Sequence, residues 1–124
     1  MKATIQYTSA IEELKNATVA GKIKWVRNRP ESFKYKTMNE DLEDLIVNFT
    51  KLETDFILTL EKKDFESTQV LMNLDTINSD SDLREALADL YGSIEFHVDL
   101  DNLQNLNKFI DLVKNDQHRN SLID

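Results

Sequence analysis

The chain has 124 residues with 15 basic and 23 acidic side chains, which gives a formal net charge of −8. This length fits one domain, and a hydrophobic content of 40% is too high for an intrinsically disordered chain. The lack of Cys excludes disulfides, thiolate metal sites and cysteine nucleophiles, while two Gly and one Pro leave little room for a phosphate-binding loop.

The charge is distributed unevenly along the chain. Residues 1–37 hold eight basic and three acidic side chains, net +5, whereas residues 38–124 hold seven basic and twenty acidic ones, net −13. Such polarity shapes the encounter with charged partners and says nothing about the fold. No apolar run reaches the 18 residues of a membrane span, and the N-terminus lacks the apolar core of a secretory signal, so we expect a cytoplasmic protein.

A helix is predicted over residues 9–20. Ser9 and Glu12 have the spacing of a capping box, in which each side chain satisfies a free N–H group of the first helical turn. Leu14 lies on an apolar stripe of helical period, and Gly21 stands where a left-handed C-terminal cap is expected.

The period then changes from 3.6 to 2, which is typical of strands with one buried face. Ile23 and Trp25 alternate with polar residues in a first strand, residues 28–32 form a turn, and Phe33 and Tyr35 alternate with lysines in a second strand.

Residues 40–52 fit two structures. Leu42, Leu45 and Phe49 lie on one helical stripe, but Leu45, Val47 and Phe49 also alternate as in a strand. We favour the strand, because residues 56–60 continue the alternation after a turn at 52–55, and residues 70–74 alternate in a fifth strand.

Two amphipathic helices are predicted to close the chain. Asp82 and Glu85 repeat the capping-box spacing, and Asp99 or Asp101 would cap the last helix. Both apolar stripes are expected in the core: Leu83, Leu87, Leu90 and Ile94, then Leu103, Leu106, Ile110 and Val113. The predicted fold is therefore α+β: an N-terminal helix, an antiparallel five-stranded meander and two C-terminal helices packed on one sheet face, with a single domain over residues 1–114 and a frayed tail over 115–124.

No residue pattern predicts chemistry. His97 lies beside Asp99 and Asp101, but no second His pair or Cys completes a metal site, and His118 falls in the predicted tail. The many carboxylate pairs are typical of helix caps and solvated faces, and no nucleophile motif is present. We therefore expect no catalytic residue, no metal ion and no cofactor.

The candidate interaction patch combines residues of the predicted first hairpin with two apolar residues of later strands. These two lie on the opposite strand face from their neighbours. Basic residues interleaved with aromatic rings resemble a platform for single-stranded nucleic acid. If the lysines face water, however, the rings face the helices and cannot stack on bases, and the acidic remainder of the chain repels a polyanion. The basic residues then form either a solvated strand face or a docking patch for an acidic partner, and the apolar pair on the other strand face is either a contact surface or covered by the N-terminal helix. The patch comprises Lys22, Lys24, Arg27, Arg29, Lys34, Lys36, Ile46 and Ile57.

The runs Ala17–Trp25 and Ser32–Thr37, followed by the segment from Leu83 to Leu103, resemble small bacterial proteins and domains of unassigned function. In those proteins a short helix ends in a Gly-Lys-Ile/Leu-x-Trp strand, and a meander and closing helices follow. The resemblance covers roughly residues 10–113. It implies a bacterial source and a role in protein interaction, and it brings no catalytic motif or ligand.

These patterns favour a small, acidic, non-catalytic interaction module, an adaptor or regulator, that acts as a monomer or homodimer on a protein partner. One alternative is an acidic immunity or inhibitor protein that masks a basic toxin or nuclease, with the carboxylates between residues 40 and 101 as its contact surface. A second alternative is an unrecognised enzyme or small-ligand binder. Self-association through an edge strand is also open, because a meander has two edges.

Overall fold

The computed structural model describes the backbone of residues 2–77 and 81–123 and the side chains of residues 7–77 and 81–115. Five consecutive strands lie between two helices in the chain. The elements are α1 (Lys2–Val19), β1 (Val26–Arg29), β2 (Ser32–Met38), β3 (Asp44–Leu52), β4 (Asp55–Lys63), β5 (Thr68–Asp75) and α2 (Ser81–Ile123).

The strands form one antiparallel meander in the order β1-β2-β3-β4-β5, so every strand pairs with its neighbour in sequence. This confirms the predicted sheet, including the strand interpretation of residues 40–52. The β3–β4 turn allows a two-residue connection because Glu53 takes a positive φ of 56°. A register shift between Leu60 and Glu61 marks a bulge in the β4–β5 pair.

The core lies on one face of the sheet, where α2 covers it. The register places Phe33, Phe49, Leu58 and Leu74 in one row across four strands. Leu87, Leu90 and Ile94 of α2 are fully buried. Tyr91 lies among the rings of this core, with centroid distances of 5.3, 5.5 and 5.4 Å to Phe33, Phe49 and Phe56.

Helix α1 runs parallel to α2 and packs against it. Ser9 and Glu12, in the middle of α1, lie beside Asp89, and Gly21, just after its end, lies beside Asp101. The helix starts at Lys2, so Ser9 is interior and the capping-box prediction was wrong.

The predicted C-terminal cap of α1 is confirmed. Gly21 has a φ of +77°, its N–H donates to the Thr18 carbonyl, and the Lys22 N–H donates to the Ala17 carbonyl at 2.9 Å. This pair of bonds is a Schellman motif, which satisfies the last free carbonyl groups of the helix.

The first strand was predicted too early in the chain. β1 begins at Val26, and Trp25 precedes it, buried with only 7% of its surface exposed. The indole Nε1–H donates to Thr18 Oγ1 at 3.0 Å. This hydrogen bond holds the residues before β1 against the end of α1. They therefore do not pair with β2, and the strand begins at Val26.

The two predicted C-terminal helices are one helix. Asp99 and Asp101 were expected to cap a new helix, but both lie inside α2 and form ion pairs with residues of the N-terminal third: Asp99 with Arg27 at 3.1 Å and Asp101 with Lys24 at 3.5 Å. Their carboxylates therefore do not compete for backbone N–H groups, and no Gly or Pro follows Gly92 to end the helix. The helix also includes residues 115–123, and the fraying expected of this segment stays a prediction.

Candidate interaction surface

The second half of α2 carries large apolar side chains that are exposed. The sequence placed Leu103, Leu106 and Ile110 in the core, but 53%, 54% and 38% of their surfaces are accessible to solvent, so that prediction was wrong. Beyond Asp101, no hydrogen bond or ion pair joins the described side chains of α2 to another element. At a rise of 1.5 Å per residue, the 22 steps from Asp101 to Ile123 span roughly 33 Å.

The exposed apolar residues lie on a different side of α2 from the core residues. At 100° per residue, Leu103 lies about half a turn around the helix from Ile94, whose side chain is fully buried. The sheet packs against the Ile94 side, and residues 102–112 are exposed on every side of α2.

Counting back along the same side identifies exposed residues in the first half of α2. Phe96 is 62% exposed, and Gly92 and Ala88 are also exposed. A Cβ atom added to Gly92 would meet no atom within 4 Å. We call this continuous side the outer stripe, and it consists of Ala88, Gly92, Phe96, Leu103, Leu106, Ile110 and the half-buried Val113.

Asp99 interrupts the outer stripe with a charge, which the ion pair with Arg27 neutralises locally. Arg27 also donates to the Pro30 carbonyl at 2.7 Å and lies 4.7 Å from the centroid of the Phe33 ring. These contacts fix the point where α2 leaves the body of the protein.

The basic residues of the predicted patch do not share one surface. Lys24 and Arg27 extend toward α2, where they pair with Asp101 and Asp99. Lys34 and Lys36 lie on the opposite sheet face, and Lys36 pairs with Asp44 at 3.2 Å. Lys22 is exposed before β1, and Arg29 is exposed beside the β1–β2 turn.

The aromatic residues between these cations lie beneath the sheet. Phe33 is fully buried, Trp25 is nearly so, and Tyr35 packs partly buried against the same core. Their rings are therefore not available to stack on bases.

Ile46 and Ile57 lie on the open face of the sheet, as their alternation predicts. Ile46 pairs across with Lys36 and Glu61, and Ile57 pairs with Thr50. Neither is an exposed apolar surface: Ile46 is only 9% exposed and Ile57 is half-buried.

The carboxylates and histidines show no arrangement for metal binding within the described residues. His97 is half-buried beside Trp25 and Asp101, and its ring meets that of Phe96 edge-on at 5.3 Å. The side chain of His118 lies outside the described residues, and so does the prediction made for it.

An acidic cleft of about 520 Å³ lies between the first turns of α2 and the middle of α1. Lys15 is the basic residue in its lining. The acidic side chains come from both helices: Glu12, Asp82, Glu85 and Asp89.

The pKa of Tyr91, an ionisable side chain of the core, differs from its usual value. Burial raises the pKa of Tyr91 to about 12, and the nearby negative charges of Glu31 and Glu95 act in the same direction. Tyr91 therefore stays neutral over the whole physiological range.

The outer stripe was not predicted because Asp99 or Asp101 was expected to cap a new helix. Had the 3.6-residue period been counted without interruption from Ile94, Leu103 and Leu106 would have been placed away from the core. Helical periodicity is thus the signal that could have revealed this surface.

No described helix is both long enough and apolar enough to cross a lipid bilayer. No protein-family model matches the chain, and comparisons with curated proteins and with solved structures give no match. The resemblance to small bacterial proteins therefore stays a prediction.

Proposed function

We propose that this protein is a non-catalytic protein–protein interaction module, an adaptor or regulator, whose contact surface is the outer stripe of α2. One observation carries the proposal: the large apolar side chains of the outer stripe are 38–62% exposed over residues 96–110. Contiguous exposed apolar surface is rare on monomeric proteins and typically marks a binding site.

The surface has the composition of an interface core. Five of its seven residues are aromatic, Leu, Ile or Val, and the charged residues between 102 and 115 are Lys108, Asp111 and Lys114. Interface cores are depleted in charge and enriched in aromatic residues in the same way. The long helix also presents these residues well away from the sheet, where a partner can reach them.

Affinity capture from the native cell lysate tests this proposal. The tagged proteins are the wild type, Leu106→Glu and Leu112→Glu. Leu112 is a matched control because it is 62% exposed on the same helix but lies about 120° around it from Leu106. A protein captured by the wild type and Leu112→Glu, but not by Leu106→Glu, supports the proposal.

The dependence of capture on salt concentration shows whether the contact with the partner is apolar or electrostatic. In about 1 M NaCl the Debye length falls to roughly 3 Å, so an apolar contact persists while a long-range electrostatic one weakens. Equal capture by all three proteins would contradict a role for the outer stripe.

The acidic cleft favours a second candidate, an inhibitor that masks a basic protein such as a toxin or nuclease. Four carboxylates against one Lys give this cleft a net negative charge, and complementary charge accelerates association with a basic partner. In this case capture would be lost at high salt and in a Glu85→Gln/Asp89→Asn variant. A Glu53→Gln/Glu66→Gln variant, altered at exposed strand connections, would retain it.

A further inference from the structure

We infer that the partner of the outer stripe is a second copy of this chain, paired with it as an antiparallel helix pair. The inference rests on the proposed function, since it names the occupant of the same surface. It follows from the spacing, the exposed area and the charge of α2.

The spacing of the outer stripe matches a helix-pairing seam. Successive positions from Ala88 to Val113, including Asp99, are separated by 4, 4, 3, 4, 3, 4 and 3 residues. The mean step is close to the 3.5 residues that keep one side of a helix in contact with another helix. The core residues of α2 lie on a different side, and among the described seam side chains Asp99 is the one bound to another element, through its ion pair with Arg27.

Gly92 is unexplained by the packing of a single chain. A mid-helix Gly costs stability relative to Ala, and no neighbouring atom lies near enough to exclude a Cβ there. A small residue on an exposed helix side lets a second helix approach closely, and Ala88 continues this small surface one turn earlier.

The exposed apolar area approaches that of a standard dimer interface. Six exposed side chains on the stripe or along its edges contribute roughly 100 Å² each, about 600 Å² of apolar surface per copy. A standard interface buries about 800 Å² per partner, so this apolar surface amounts to roughly three quarters of one. The six residues are Phe96, Leu100, Leu103, Leu106, Phe109 and Ile110.

Charge selects the antiparallel orientation. Residues 81–101 of α2 hold six acidic residues and one Arg, whereas residues 102–115 hold two Lys and one Asp. A parallel pair would align the two acidic halves, while an antiparallel pair places each acidic half beside the more basic half of the other copy.

Sedimentation equilibrium on the purified full chain tests the self-association. We expect the wild type and Leu112→Glu to have the mass of a dimer at micromolar concentration, and Leu106→Glu to have the mass of a monomer. Both substituted positions are exposed, so circular dichroism and the unfolding midpoint should show that all three proteins are folded. A monomeric wild type, or a Leu106→Glu variant that remains dimeric, would overturn the inference.

The orientation is tested with spin labels on single-cysteine variants, which the Cys-free chain makes straightforward. In an antiparallel pair whose midpoint lies near Leu103, labels at residue 113 are roughly 25–35 Å apart, while labels at residue 103 are within about 15 Å. Short distances at both positions would show a parallel pair and overturn the antiparallel part of the inference.

Failure of this inference is distinguishable from failure of the proposed function. If the wild type is a monomer but captures another protein through Leu106, the interaction role stands and only the second copy is excluded. If the wild type is a dimer and captures nothing else, the second copy stands and an adaptor role is contradicted.

Discussion

The hydrogen bond between Trp25 and Thr18 should make a measurable contribution to stability. The Trp25 indole N–H donates to Thr18 Oγ1 at 3.0 Å, and the Thr18 hydroxyl donates to the Leu14 carbonyl at 2.9 Å. Both side chains are buried, with 7% and 2% exposed. This chain of hydrogen bonds joins α1 to the segment that leads into the sheet.

The expected loss of stability in each variant depends on whether the substitution removes a buried ring or leaves a buried N–H group without an acceptor. Trp25→Ala removes a nearly fully buried ring, which should lower the free energy of unfolding by about 3–5 kcal/mol. Thr18→Val preserves the side-chain volume but leaves the indole N–H without an acceptor, which should cost about 1–3 kcal/mol. In a Trp25→Phe background no indole N–H is left, so Thr18→Val should cost less there by about 1 kcal/mol or more.

Urea denaturation followed by far-ultraviolet circular dichroism measures this cycle. Fluorescence is unsuitable because Trp25 is the only Trp in the chain. Thr68→Val, at an exposed position of β5, is the matched control and should change stability by less than about 0.5 kcal/mol. Additive single and double variants would refute the hydrogen bond as the connection, and a mild effect of Trp25→Ala would refute the anchoring role of the indole.

Three further predictions follow from individual residues. Gly92→Ala should raise the free energy of unfolding by about 0.5–1 kcal/mol, because the added Cβ meets no atom within 4 Å; a loss of stability in urea denaturation of the monomer would contradict this. Gly21→Ala should have the opposite sign and cost about 1 kcal/mol, since its φ of +77° strains any residue with a Cβ; an unchanged unfolding midpoint would contradict it. The raised pKa of Tyr91 favours the neutral phenol in the folded state, so its contribution to stability is fully present below the unfolded pKa of 10 and is lost as the pH rises toward about 12. Urea denaturation at several alkaline pH values should therefore show a steeper loss for the wild type than for Tyr91→Phe, and parallel curves would contradict the raised pKa.

The sheet could be predicted from the sequence because its information is local. Alternating residues such as Phe33 and Tyr35, or Phe56 and Leu58, identify the buried face of a strand without reference to the rest of the chain. Every strand also pairs with the next one, so predicting the individual strands was enough to predict the topology.

The helix boundaries depended on contacts between distant parts of the chain. Asp99 and Asp101 have the local preferences of helix caps, but Arg27 and Lys24 bind their carboxylates from more than 70 positions away. This error split α2 in two, placed Leu103 and Leu106 in the core and concealed the outer stripe. The basic patch was misplaced for a related reason, since local alternation does not show which lysines meet a carboxylate.

The order of the elements has a consequence for folding during synthesis. α1 emerges from the ribosome first, but its packing partner α2 emerges last, after the whole sheet. The meander can pair strand by strand through short turns, whereas docking of α1 must wait for a loop of residues 20–80 to close. Until then the aromatic row of Phe33 and Phe49 is uncovered, so a nascent chain stalled before residue 81 would be a substrate for chaperones.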